Sequence, residues 1–236
     1  MEPFQELEID FVGPLQPDED GNTFILVVVC CFTRVCELFP CKGATSKDTA
    51  RSLLSVFSRY GLCTTLRSDN GSHFANHIVN DLLKLLNVEH RCGIPYRPQI
   101  QGIVERLNQE IMRHLRAIIF DCRVINQWSM YLPFIQRIIN NTYHSVIGTR
   151  PTRLLFGDNI TVNRNLLVPV PKQDAITLED YVQQLNTQLI NIVTASQQHQ
   201  NSLRNIINDK QPNNPIIFEE GQYVLVKWPK GRPISI

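Results

Sequence analysis

Thr64-Thr65-Leu66-Arg67-Ser68-Asp69-Asn70-Gly71 reads as a short strand that stops on an acid and turns at Asn-Gly, residues that accept the backbone angles of a tight turn. Upstream, Glu6 to Val12 alternates, with Leu7, Ile9 and Phe11 on one side and Glu6, Glu8 and Asp10 on the other. Asp10 therefore points away from the apolar face of a strand. Phe24 to Phe32 has the length and composition of a buried central strand, and Val35 to Phe39 returns after Thr33-Arg34 as an antiparallel partner. A helix follows, with Ser46 as N-cap and Ala50, Leu53, Leu54 and Phe57 at helical spacing. Beyond Gly71, Ser72 stands where it can cap a second helix carrying the stripe Phe74, Ile78, Leu82, Leu85 and Leu86, and Val88 to Arg91 makes a last short strand. Strands in succession, then strands alternating with helices, predict an α/β fold: a mixed five-stranded sheet flanked by helices.

Gly93 to Gln101 contains Gly93, Pro95 and Pro98 and reads as a loop. Helix resumes from about Gly102 to Phe120, with Ile103, Leu107, Ile111, Leu115 and Ile118 on its buried side. Trp128 to Tyr143 is helical, and Thr149-Arg150-Pro151 opens a short helix through Leu154 and Leu155. Residues 1–160 form the core on this reading and 161–177 a linker. Residues 178–209 form a long helix, and 210–236 begin a small β module. Along the long helix Leu178, Val182, Leu185, Leu189, Ile192, Ser196, His199, Leu203 and Ile206 make a heptad-like seam, which serves either docking on its own core or a multimer contact.

Composition narrows the class. Apolar residues make up 43% of the 236 and charged residues 19%, which excludes a disordered chain. A net charge of +1 means that any nucleic-acid affinity rests on local clusters. Glu2, Glu6 and Glu8 stand where a secretion signal would be basic and then apolar, and the run Phe24 to Phe32 is too short for a bilayer. Seven cysteines without a Cys-x-x-Cys pair argue against a zinc knuckle or a disulfide framework; Cys30, Cys31 and Cys36 read as core thiols of a reducing compartment, the cytosol or nucleus.

The chemistry lies in acids. Asp10 is mid-strand, Asp69 ends a strand, and Glu105 sits one turn into a helix, with 35 residues between it and Asp69. Three carboxylates on rigid elements beside a loop can hold two hard divalent cations. Acids are common, however, and Asp69 as a plain turn residue or Glu105 as a solvated helix residue stands beside this reading. His73 and His77, four apart, read as an exposed polar face of one helix.

The segments Arg67-Ser68-Asp69-Asn70-Gly71, Pro95-Tyr96-Arg97-Pro98-Gln99 and Gly102-Ile103-Val104-Glu105-Arg106-Leu107-Asn108, in this order, resemble the catalytic core of retroviral and gypsy-type retrotransposon integrases. The likeness continues at Ile9-Asp10-Phe11-Val12-Gly13-Pro14, at Trp128 with Leu132-Pro133, at Asn141-Thr142 with His144-Ser145, and at Pro151 with Leu154-Leu155-Phe156-Gly157. Phe218, Gly221 and Tyr223-Val224-Leu225-Val226 resemble the first strands of that family's SH3-like carboxy-terminal barrel. The resemblance implies an RNase H-like fold and a polynucleotidyl transferase that trims element DNA 3′ ends and joins them to target DNA. It implies Asp10, Asp69 and Glu105 as catalytic ligands of two Mg²⁺ (or Mn²⁺) ions, and DNA ends and target DNA as partners of at least a dimer. Nuclear residence follows, with cytoplasm or a virus-like particle beforehand. Tyr96, Arg97, Gln99, Gln101 and Arg106 are expected at DNA, and Asn108 behind the ligands. Lys227, Lys230 and Arg232 with Trp228 form a small basic cluster weakly suited to DNA.

There are departures from the family pattern. No zinc-binding His/Cys domain precedes the core, the barrel is truncated, and Met112 stands where such enzymes often carry a DNA-facing Lys. Two other readings stay open: a domesticated, non-catalytic DNA-binding scaffold, and a plain Mg²⁺-dependent nuclease.

Overall fold

The structure, a computed structural model, describes residues 2–93, 98–122, 125–157 and 178–209. The linker at 161–177 and the β module at 210–236 lie outside the described residues, as do Tyr96 and Arg97. The chain runs β1 (Glu6–Val12), β2 (Phe24–Cys30), β3 (Cys36–Cys41), α1 (Ser46–Tyr60), β4 (Thr65–Ser68), α2 (His77–Leu85), β5 (Glu89–Cys92) and α3 (Pro98–Cys122). A 3₁₀ turn (Ile125–Tyr131), α4 (Leu132–Asn141), α5 (Pro151–Phe156) and α6 (Leu178–Asp209) follow. The five strands form one sheet in the order β3-β2-β1-β4-β5. β1, β2 and β3 pair antiparallel, while β4 and β5 join parallel to β1 and to each other. This is the mixed, five-stranded sheet that the alternation implied.

Both faces of the sheet are covered, because β2 is apolar on both. Leu26, Val28 and Cys30 join Leu7 and Ile9 of β1 in a core with Leu53, Val56 and Phe57 of α1 and Val79 and Leu83 of α2. On the other face Ile25, Val27 and Val29 pack with Val12, Cys36 and Leu38 against Val104, Leu107, Ile111 and Leu115 of α3, and against Trp128, Leu132 and Ile135. Glu8 and Asp10 share the second face with Val12 by the two-residue period of a strand. The α3 layer is thus the layer of the acids.

Several boundaries differ from the sequence reading. α3 opens at Pro98, not near Gly102: a proline lacks only a donor that a first helical turn leaves unpaired, and its fixed φ suits that turn. Thr45, not Ser46, caps α1, accepting from Asp48 N, and Asn76, not Ser72, caps α2. Trp128 falls in a 3₁₀ turn with Gln127 outside helical angles, so the stretch to Asn141 is two pieces, not one helix.

The open edge of the sheet, β3, is closed by side chains. Asn140 accepts from Cys36 N through Oδ1 and donates from Nδ2 to Cys36 O, both at 2.9 Å, as a neighbouring strand would. Gln136 Oε1 takes Leu38 N at 2.9 Å. Asn140→Ala should cost roughly 1–3 kcal/mol, because it strands two buried backbone groups. Urea unfolding measures this, and a loss within the ordinary surface range of about 0.5 kcal/mol would show the edge finds other partners.

α6 docks on its own core. Ile192 and Val193 pack against the first cluster, Ser196 Oγ donates to Ile147 O at 2.9 Å, and His199 Nε2 donates to Ser145 O at 2.8 Å. The two polar residues of the seam are therefore its anchoring points. No helix among the described residues is long and apolar enough to cross a membrane.

Candidate active site

β1 and β4 run parallel with Glu6 beside Thr65, Leu7 beside Leu66 and Glu8 beside Arg67. Continuing that register two residues brings Asp10 beside Asp69, across an inter-strand spacing of about 4.8 Å. Period two also puts Asp69 on the face of Arg67, Glu8 and Asp10, toward α3. Asp69 lies just beyond the carboxyl end of β4, where α/β sheets usually open a crevice. Burial pushes the Asp10 carboxyl above its usual range, and the nearby negative charge of Asp69 pushes the same way. The Phe11 N–H, donating to Asp10 Oδ1 at 2.8 Å, and Asn108 Nδ2, donating to Oδ2 at 2.8 Å, pull it back. Asn108 is thus where the sequence reading placed it, behind the first acid.

Asp69 Oδ1 accepts from Gly71 N at 2.9 Å, the tight turn expected of Asp-Asn-Gly. Gly71 has no room for a side chain: a Cβ there would stand 2.4 Å from the His73 ring and 2.9 Å from Asp69 Oδ1. His73 corrects the reading of an exposed helix face. It precedes α2, which begins at His77, and its ring meets Phe11 edge-on at 5.0 Å between centroids. Its charge pulls the Asp10 carboxyl down. His73 is a site residue that helical spacing misassigned; its position beside Asn70-Gly71 was the available signal.

Glu105 lies on the exposed side of the first half of α3, and its negative charge pushes up the Glu8 carboxyl. Among the described residues no three His, Cys, Asp or Glu side chains form a ready-made metal cage. Asp10 and Asp69 feel each other's charge, and Glu105 is felt at Glu8. Arg106 is exposed and donates from Nε to Gly102 O at 2.9 Å. Of Gln99 and Gln101 only the helical backbone is described, so their expected DNA contacts lie outside the described residues, like those of Tyr96 and Arg97. Met112 packs against the α3 core cluster, so its departure from a Lys serves packing.

Glu8 is a further residue the sequence reading passed over. It is 2% exposed, and neither carboxylate oxygen has a hydrogen-bond partner among the described residues. Burial lifts its carboxyl from 4.5 to about 7, while Arg67 and Arg34 oppose the rise. A carboxyl whose folded pKa is raised binds its proton more tightly in the folded state, so stability falls as pH climbs through that window. Without divalent metal, the stability of Glu8→Gln relative to wild type should improve by on the order of 3 kcal/mol between pH 4 and pH 8. Parallel urea titrations at the two pH values test this; a difference independent of pH would refute it.

Residues 1–98 match the family described as integrase core domain. Among solved structures, the catalytic core domain of BIV integrase superposes with a TM-score of 0.51 at 26% identity, covering 64% of this chain and 93% of that one. The fold is that of a retroviral integrase catalytic core. The HTLV-2 integrase catalytic core domain in complex with magnesium has the same fold, at TM-score 0.53 and 18% identity over 64% of this chain and 95% of that one. In sequence, the chain is 31% identical over 199 residues to the Pro-Pol polyprotein of feline foamy virus, covering 84% of this chain. It is 25% identical over 184 residues to the retrovirus-related Pol polyprotein from transposon 412 of Drosophila melanogaster, covering 77% of this chain. The chain spans only 16% and 15% of the length of those two relatives.

Proposed function

We propose that this integrase-type core is a DNA-joining polynucleotidyl transferase, acting in the nucleus on element ends and target DNA as part of a homo-oligomer of at least two copies. The observation that supports this reading is the parallel β1–β4 pairing, Glu8 beside Arg67, just before Asp10 and Asp69, whose charge is felt at Asp10. The donor set fits hard divalent cations: all-oxygen carboxylates, one steadied by Asn108. Asp10, Asp69 and Glu105 would together hold the divalent ions. Bound, these ions supply Lewis-acid activation of a water or DNA 3′-hydroxyl and stabilise charge on the leaving 3′-oxygen. Asp10 and Asp69 repel each other, and Glu105 adds a third like charge, so a divalent cation favours bringing all three together.

The chain's own residues do the rest. Asn108 orients Asp10, Gly71 N orients Asp69, and the Tyr96, Arg97, Gln99 and Gln101 segment with Arg106 would grip phosphates near the scissile bond. Contacts of that kind carry little base information, so target choice would be loose. Incubating the full chain with labelled duplex and Mg²⁺ tests the reading. Joined products support it, cut products alone support a nuclease, and neither product supports a non-catalytic scaffold.

A further inference from the structure

Behind Asp69, on the opposite face of the sheet, lies a chain of polar side chains that the proposed reaction does not touch. Ser68 Oγ donates to Asp69 O at 2.8 Å and lies 2.9 Å from His90 Nε2. His90 Nδ1 lies 3.1 Å from Asn80 Oδ1 on α2. A serine hydroxyl has one hydrogen. With that hydrogen on Asp69 O, the Ser68 oxygen accepts from His90, whose Nε2 carries the proton. Burial lowers the His90 pKa and favours the neutral ring. With its proton on Nε2, Nδ1 accepts from Asn80 when that amide turns its Nδ2 to the ring, the two ends of an amide being alike in shape.

The order Ser–His–Asn is that of a nucleophilic triad, but Ser68 is 4% exposed and its hydrogen is committed to a backbone carbonyl, so it is no nucleophile. Nor does β5 depend on this network for attachment, since four residues of β4 already pair with it from Thr65 to Ser68. The network converges on the two peptides that flank the Asp69 Cα. Ser68 O takes Gly93 N at 2.7 Å, Ser68 Oγ holds Asp69 O, and Asp69 Oδ1 takes Gly71 N.

We propose that His90 is a positioning residue, acting through the Ser68 hydroxyl to fix the Asp69 peptide and so the direction of the Asp69 carboxylate toward the α3 face. This rests on the reading of Asp69 as a metal ligand. Partners that orient ligands from behind are worth roughly 10- to 100-fold in metal affinity or activity. The test uses the full chain and calorimetric titration with Mn²⁺, alongside thermal unfolding without metal. His90→Leu and Ser68→Ala should each weaken Mn²⁺ binding by about tenfold, whereas His90→Gln, whose amide can still donate to Ser68, should stay within about twofold of wild type. Ser68→Ala removes a single oxygen, so it reports even if His90→Leu folds poorly. If both variants bind Mn²⁺ like wild type while Asp69→Asn loses it, or if they lose only melting temperature, the inference is overturned. If wild type itself binds no Mn²⁺, the metal-site reading fails and takes this inference with it, a result separable from the previous one.

Discussion

Asp69→Asn, Asp10→Asn and Glu105→Gln should each lower Mg²⁺-dependent DNA joining by roughly a thousandfold or more, the scale on which loss of one member of a cooperating catalytic set acts. Each substitution is nearly isosteric, so the chain should stay folded. Without metal, Asp69→Asn should even be slightly more stable, because the Asp69 charge is one of the forces raising the Asp10 carboxyl. Mg²⁺ should stabilise wild type, by about 2.7 kcal/mol at a hundred times its dissociation constant, and stabilise Asp69→Asn far less. Joining assays paired with thermal unfolding read both effects. Glu105 is the discriminating member, since among the described residues no closed group of three such side chains forms. If Glu105→Gln joins DNA like wild type, the third ligand is wrongly assigned; if all three variants do, the site is wrong altogether.

Trp128→Ala should destabilise the chain by about 3–5 kcal/mol, the range for emptying a buried large aromatic site. Trp128 is 1% exposed, fills the cluster between α3, α4 and the sheet, and donates from Nε1 to Gln16 O at 2.9 Å. Its loss leaves a cavity and an unpaired carbonyl together. Because α3 carries Asn108 and Glu105 over the same cluster, the variant should also lose joining activity at temperatures where wild type is fully folded. Urea unfolding gives the energy directly. A loss below about 1.5 kcal/mol, the range of volume-conserving core changes, would mean the layer collapses around the gap.

Much of this architecture could be read along the chain. Leu7, Ile9 and Phe11 alternating with Glu8 and Asp10 marked β1, and the apolar run from Phe24 marked a strand buried on both faces. The helical stripe of α3 was legible except in its phase, since Val104 and not Ile103 is fully buried. Helix ends were less legible because several residues compete for each cap: Thr45 displaced Ser46, and Asn76 displaced Ser72. Asp10 and Asn108, both singled out in the sequence, are joined by a hydrogen bond. Glu8 was passed over, since an acid on the polar side of an alternating strand looks solvated until α3 is laid across it. His73 was misread for a related reason, the turn after Gly71 ending the helix pattern that its spacing to His77 imitates.

The amino-acid order alone determined which segments are strands and helices and which acids sit at their ends, because periodicity and turn chemistry act between residues a few positions apart. Only the tertiary structure decided which polar groups meet. Asn140 closes the edge at Cys36 across 104 positions, and Asn108 steadies Asp10 across 98. Strand register and helix packing set those meetings, and they are fixed by the burial of the whole sheet, which no local spacing encodes.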